Sequence, residues 1–198
     1  MRKNKKSIEQ QVTLSTLDRE RRSKDWDPFY SSDSFRSLES SAEIGRFGII
    51  VEIIFSLFNH PRVLDIGCGL GRLCRLIPLE KVECYLGVDV SDVAVKKAQQ
   101  NYPGYAFLWS SVEELSIDTL QHVIILSEIL YYTNYIATID KALSFLVPDG
   151  VLIVSLFQHP AGDTILRYLL EHKSIWKHIE IISHDAQLVW HIVVVSNH

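Results

Sequence analysis

From residue 42 to 59 the apolar side chains Ile44, Phe47, Ile50, Val51, Ile54, Phe55 and Phe58 recur at the spacing of one helical face, and Asn59-His60-Pro61 ends the run. The period then changes. Residues 62–66 predict a short strand, a helix is expected to start within the following glycine turn and reach about Ile77, and residues 83–88 predict a second strand. Ser91 is a good N-cap for a helix over 91–101, with Asp92 close behind it. "YAFLWSS" reads as a third strand, "SVEELS" as a short turn or helix and "HVIILSE" as a fourth strand. An unbroken apolar run of that kind suits a parallel sheet covered on both faces.

Further on, residues 135–145 predict a helix, Pro148-Asp149-Gly150 a turn and 151–157 a fifth strand. Residues 164–177 place Ile165, Leu166, Leu169, Leu170 and Trp176 on one helical face. "HIEIISH" and "LVWHIVVVS" predict two last strands joined through Asp185-Ala186, the final one antiparallel. Alternation of strand and helix requires right-handed crossovers. The expected fold is therefore a single α/β domain, a doubly wound, Rossmann-like sheet of seven mostly parallel strands.

Charge divides the chain unevenly. Of 20 Lys/Arg and 24 Asp/Glu, residues 1–24 hold eight and three, leaving twelve and twenty-one for the remainder. The reading is a basic, solvated tail over 1–24, a lid segment and helix over 25–60, and an α/β core over 61–198. The acidic body disfavours nucleic acid as a partner, because a phosphate-binding face needs a basic stripe. No apolar run is long enough for a membrane span. Three cysteines without CxxC spacing and no signal peptide point to a reduced, cytoplasmic setting. Neither they nor the eight histidines show metal-ligand spacing, so no metal is expected.

The stretch "VLDIGCGLGR" concentrates chemistry at the end of the first strand. Gly67, Gly69 and Gly71 allow a tight bend that a ligand can approach closely. They do not follow the dinucleotide pattern G-x-G-x-x-G, since Arg72 stands where the last small residue belongs. Asp65, two residues before the bend, repels phosphate and attracts a cation, so a ligand with a positive end is favoured over NAD.

"VLDIGCGLG" resembles the D-x-G-x-G-x-G loop of class I S-adenosylmethionine-dependent methyltransferases. "YLGVDVSDVAVKKA", "HVIILSEILYY" and "LVPDGVLIVSL" are similar to the segments that follow in that family, in the same order. The resemblance implies S-adenosyl-L-methionine as cofactor. It places Asp65 at the methionyl amino group and the backbone of Gly67, Cys68, Gly69 and Gly71 against methionine and ribose. Asp89, eighteen residues after Gly71, would take the ribose hydroxyls, Val90 would flank the adenine, and Ser111 and Val112 would border its edge. Ser127 is expected beside the methyl group. "DPFY" and "LSEILYYT" look like the nodulation N-methyltransferases and their small-molecule relatives.

Methyl transfer to a neutral amine needs positioning more than a base, whereas a hydroxyl acceptor usually requires one. Glu128 is the candidate to hold an amine and accept its proton, His159 the base for a hydroxyl, and Tyr131 a wall with a hydroxyl. Trp26 and Tyr30, in the segment before the first helix, are expected to close over the cofactor and exclude water. The reading is an enzyme acting on a small polar acceptor such as an amino sugar or metabolite, with an amine preferred to oxygen. Methylation of RNA or protein, and a cofactor-binding regulatory module without catalysis, are the alternatives.

Overall fold

A computed structural model describes residues 23–32, 41–183 and 188–197. Most of the basic tail, the middle of the proposed lid segment and the Asp185-Ala186 link lie outside the described residues. Residues 23–31 form α1 and Ser41–Leu57 form α2, close to the predicted helix. The strands are β1 (Arg62–Ile66), β2 (Cys84–Asp89), β3 (Ala106–Trp109), β4 (Gln121–Ser127), β5 (Leu146–Phe157), β6 (Ile175–Ser183) and β7 (Leu188–Ser196). Between them lie α3 (Asp92–Asn101), α4 (Tyr135–Ser144) and α5 (Pro160–His172).

All seven strands join one sheet in the order β3-β2-β1-β4-β5-β7-β6. β3, β2, β1, β4 and β5 are parallel, and β7 runs antiparallel between β5 and β6. This is the expected doubly wound α/β sheet. Its order reverses at β1, between β2 and β4, so the C-terminal ends of those strands open the crevice where such sheets bind ligands.

Alternate side chains of the strands feed two cores. Val63, Val123, Ile125, Ile153, Ile192 and Val194 pack on one face with Ile50, Ile53 and Ile54 of α2 and with Val95 and Ala98 of α3. Leu64, Ile124, Leu126, Leu152, Val154 and Val193 pack on the other with Ile139 of α4 and with Ile165 and Leu169 of α5. Among the described residues no helix is long and apolar enough to cross a membrane.

Three local expectations are corrected. The glycine turn does not open an α-helix: Gly67, Gly69 and Gly71 have φ of 78°, 53° and 72°, and the chain forms turns and a short 3₁₀ segment, Cys74–Leu76. Three left-handed residues at alternate positions cannot belong to a right-handed helix. α5 starts at Pro160 rather than Thr164, since proline suits the first helical position and His159 caps it. It also ends sooner, at His172. Trp176 therefore belongs to β6, and Leu170 and Trp176 are exposed rather than on the buried helix face. Finally, β5 runs through Pro148-Asp149-Gly150, where its register against β4 shifts before pairing resumes at Val151.

Candidate functional site

β1 ends at Ile66 and the chain turns at once, with Gly67 and Cys68 both donating their N–H to the Val88 carbonyl of β2. A methyl group on Gly67 would stand 2.2 Å from Cγ2 of Ile129, so a side chain is excluded there by space as well as by φ. The Gly69 N–H points to Asp89, the last residue of β2, and donates to its Oδ2 at 2.8 Å. The other oxygen of Asp89 accepts the Ser91 N–H at 2.9 Å. Asp89 is thus fixed against the bend by backbone donors, with lone pairs left on both oxygens.

Asp65 lies inside the end of β1 and is 3% exposed, with its Oδ2 accepting the Tyr85 hydroxyl at 2.6 Å. Burial raises the pKa of Asp65 to about 6, the Tyr85 hydrogen bond opposes the rise, and Asp89 adds to it. Asp89 is also raised to about 6 by burial, against the pull of its N–H donors. Two carboxyls whose charge is costly to bury therefore flank one glycine bend. A cation or a pair of hydroxyls placed between them would offset that cost.

A cavity of about 280 Å³ covers the bend. Asp65, Gly67, Cys68, Gly69, Asp89, Val90, Ser111, Val112, Ser127, Glu128 and Tyr30 all border it, as the sequence reading grouped them. Gly71, Tyr131 and His159 are not among its wall residues. Gly71 instead makes room for Phe107, whose Cζ would lie 2.8 Å from an added methyl. His159 caps α5, its Nδ1 accepting the Ala161 N–H at 3.2 Å, and its ring lies 4.5 Å from that of Tyr131.

Glu128 follows β4 with φ of 61°, an uncommon conformation for a residue with a side chain. It is held there by several partners. Its own N–H donates to the Ser155 carbonyl, its Oε1 accepts the Ser155 hydroxyl at 3.0 Å, and its Oε2 accepts Tyr131 Oη and Phe157 N, both at 3.1 Å. Burial raises its pKa, and the nearby Arg46 guanidinium opposes that rise. Tyr131 thus acts on the site through Glu128.

The sequence reading missed α2 as a supplier of site residues. Arg46 is 2% exposed, pairs with Glu43, and donates to the hydroxyls of Ser127 and, at 3.0 Å, Ser155. Arg46, Glu43 and Phe47 all line the cavity. A signal was present: Arg46 precedes Ile50, Ile53 and Ile54 by four, seven and eight residues and so lies on the buried stripe. Tyr132, Thr133, Arg72 and Ser110, which stand within the quoted segments without having been assigned to the site, also line the cavity.

α1 forms the roof. Asp27 Oδ1 accepts the Ser91 hydroxyl at 2.6 Å and Oδ2 accepts that of Ser23 at 3.0 Å, while Lys97 donates to the Tyr30 carbonyl at 2.6 Å. Docked this way, Trp26, Phe29 and Tyr30 face the cavity. The Trp26 ring meets that of Tyr132 edge-on at 4.8 Å, and the Tyr30 hydroxyl lies 3.0 Å from where a Gly69 side chain would begin. Burial, with Asp89 next in effect, pushes the Tyr30 phenol well above its ordinary value, so it stays a neutral donor.

A family model of a methyltransferase domain matches residues 57–188. No curated protein matches the chain in sequence. Among solved structures it is similar to the N-methyltransferase NodS from Bradyrhizobium japonicum WM9 in complex with S-adenosyl-L-homocysteine, at 17% identity and a TM-score of 0.78, over 88% of this chain and 97% of that one. It is also similar to magnesium protoporphyrin IX methyltransferase from Synechocystis PCC 6803 with bound S-adenosylhomocysteine, at 15% identity and a TM-score of 0.68, over 90% and 99% of the two chains. A third likeness, at 18% identity and a TM-score of 0.67 over 87% and 85%, is to 1,6-didemethyltoxoflavin-N1-methyltransferase from Burkholderia thailandensis. At such identities the shared feature is the fold.

Proposed function

The chain belongs to the methyltransferase domain family, and from that premise we propose that it methylates an amine of a small polar acceptor, such as an amino sugar or metabolite, with S-adenosyl-L-methionine as donor. The observation that carries this reading is the pair of buried carboxyls, Asp65 and Asp89, on either side of a bend whose glycines leave the cavity floor without side chains. The residues present fit the donor. Asp89 keeps acceptor capacity for a ribose diol after taking two N–H groups, and Asp65 keeps an oxygen for an ammonium. Val90, Ser111 and Val112 offer a slot for the base.

When bound, the donor supplies a methyl group activated on a sulfonium. The chain's own work is to bind, orient and keep water out. Glu128 is oriented by Ser155, Tyr131 and the Phe157 N–H, so its carboxylate can hold an acceptor ammonium and receive a proton on Oε1 or Oε2. α1 serves as the lid, with Trp26 and Tyr30 over the bend. An amine is preferred to a hydroxyl because His159, the base a hydroxyl would need, is committed to capping α5 and lies off the cavity wall.

Incubation with isotopically labelled donor and pooled amine and hydroxyl acceptors, followed by identification of the labelled product, tests this directly. Transfer to an amine, lost in Glu128→Gln and kept in His159→Ala, is the expected result. Loss in His159→Ala alone would move the chemistry to oxygen. Absence of S-adenosylhomocysteine binding by calorimetry would end the proposal altogether.

A further inference from the structure

Asp65 and Asp89 flank the same bend but are held in different ways. Asp89 rests on backbone, its oxygens accepting the N–H groups of Gly69 and Ser91. The Asp65 side chain has one hydrogen-bond donor among the described residues, the Tyr85 hydroxyl at 2.6 Å. Register brings the two together. Gly87 stands directly opposite Asp65 in the β1–β2 pairing and has no side chain to reach it, whereas Tyr85, two residues earlier, shares its face of the sheet. Tyr85 is 3% exposed, its ring edge-on to those of Tyr105 and Phe107 at 5.6 and 6.2 Å. Phenylalanine would fill that aromatic cluster equally well. Tyr85 is not a wall residue of the cavity, and among the described residues its buried hydroxyl has Asp65 as its one partner.

We propose that Tyr85 is a positioning residue for the amino-acid end of the donor: by donating to Oδ2 it fixes the Asp65 carboxylate and leaves Oδ1 to a ligand ammonium. The inference rests on the placement of Asp65 proposed above. A phenol donates more strongly to a carboxylate than to a carboxylic acid, so the bond favours the charged form that an ammonium needs. Burial pushes the Asp65 carboxyl up to about 6, and the Tyr85 bond is the larger of the two influences that oppose it. The remaining charged or titratable groups facing Asp65 are Asp89 at the end of β2, which raises it, Arg46 of α2, which lowers it, and the thiols of Cys68 and Cys74 after β1. Burial drives both thiols upward, so they stay neutral where Asp65 titrates. Without the hydroxyl, Arg46 alone of these groups opposes burial. A hydrogen bond to a charged group corresponds to about one to two pH units, so Asp65 in Tyr85→Phe should keep its proton that much further up the scale.

The test compares two ligands by calorimetry on the full chain from about pH 5 to 8. S-adenosylhomocysteine carries the ammonium, whereas methylthioadenosine keeps adenine, ribose and thioether without it. Asp89 would meet the ribose of both, so the pH course of their affinity ratio, compared between wild type and variant, reports Asp65. In wild type that ratio should fall below about pH 6, and in Tyr85→Phe the midpoint of the fall should move up by about one to two pH units. Methylthioadenosine affinity within about threefold of wild type shows the bend intact. Asp65→Asn should lower the ratio throughout, and adding Tyr85→Phe to it should change the ratio no further. The double variant has no buried carboxylate at this position and keeps the comparison available should Tyr85→Phe alone not fold. A Tyr85→Phe ratio that matches wild type, one lowered equally at every pH, a loss shared by both ligands, or a further fall in the double variant overturns the proposal. A ratio indifferent to Asp65→Asn, or no uptake of S-adenosylhomocysteine by wild type, would instead overturn the placement of Asp65 and the role of Tyr85 with it.

Discussion

Asp89→Ala separates what the carboxylate does for folding from what it does for binding. In the free protein the substitution strips acceptors from two N–H groups, those of Gly69 and Ser91, at a site only 7% exposed. Each unsatisfied buried donor costs about 1–3 kcal/mol, or about 2–6 kcal/mol together. Against this, wild type carries an ionised carboxylate whose pKa burial has moved from 3.8 to about 6, a penalty of about 3 kcal/mol at neutral pH that the variant escapes. The two effects largely cancel, leaving a net loss of about 3 kcal/mol at most. For a bound ribose nothing compensates. Two hydrogen bonds to a charged acceptor, each worth about 1.5–3 kcal/mol, correspond to a loss of about 100-fold or more in affinity. Thermal melts of the free variant and calorimetry with S-adenosylhomocysteine measure the two quantities apart. Affinity within about threefold of wild type, in a folded Asp89→Ala protein, would refute the assignment of Asp89 to the ligand.

The same carboxyls predict opposite pH trends for stability and binding. Because Asp65 and Asp89 hold protons more tightly folded than unfolded, their contribution to stability falls as pH rises from 3.8 to about 6 and levels off above. Lowering the pH from about 7 to 5 should therefore stabilise wild type relative to Asp89→Ala by about 1–2 kcal/mol, measured by urea unfolding. Donor affinity should move the other way, falling about tenfold per pH unit for each carboxyl protonated below about pH 6, as calorimetry at several pH values would show. Glu128→Gln should reduce turnover at least about 100-fold while S-adenosylhomocysteine affinity stays within a few-fold, as single-turnover assays and calorimetry can establish. Gly67→Ala places a methyl 2.2 Å from Ile129 at a φ of 78° and should cost about 2 kcal/mol or more in a thermal melt. Gly45→Ala in α2, with nothing within 4 Å of the new methyl, should instead stabilise by about 0.5–1 kcal/mol.

Much of this protein is legible before folding because its information is periodic. Strands buried on both faces must be continuous apolar runs, and α2, which covers one face, must be apolar at helical spacing, so the element order and doubly wound class follow from pattern alone. Asp65, Gly67 and Gly69 are legible as cavity residues from the bend after β1 and Glu128 from its place after β4, whereas Asp89 is marked only by the family resemblance. Tertiary structure decided the rest. That Arg46 turns its guanidinium to Ser127 and Ser155 depends on α2 crossing the ends of β4 and β5, a contact between residues 81 and 109 positions apart that no local window contains. Neighbours in space likewise made Gly71 a packing glycine beneath Phe107 and His159 a helix cap, although both stand next to motif residues in the chain. Local spacing settles which segments form and where the chain turns, whereas the direction a polar side chain faces is settled by the elements packed around it.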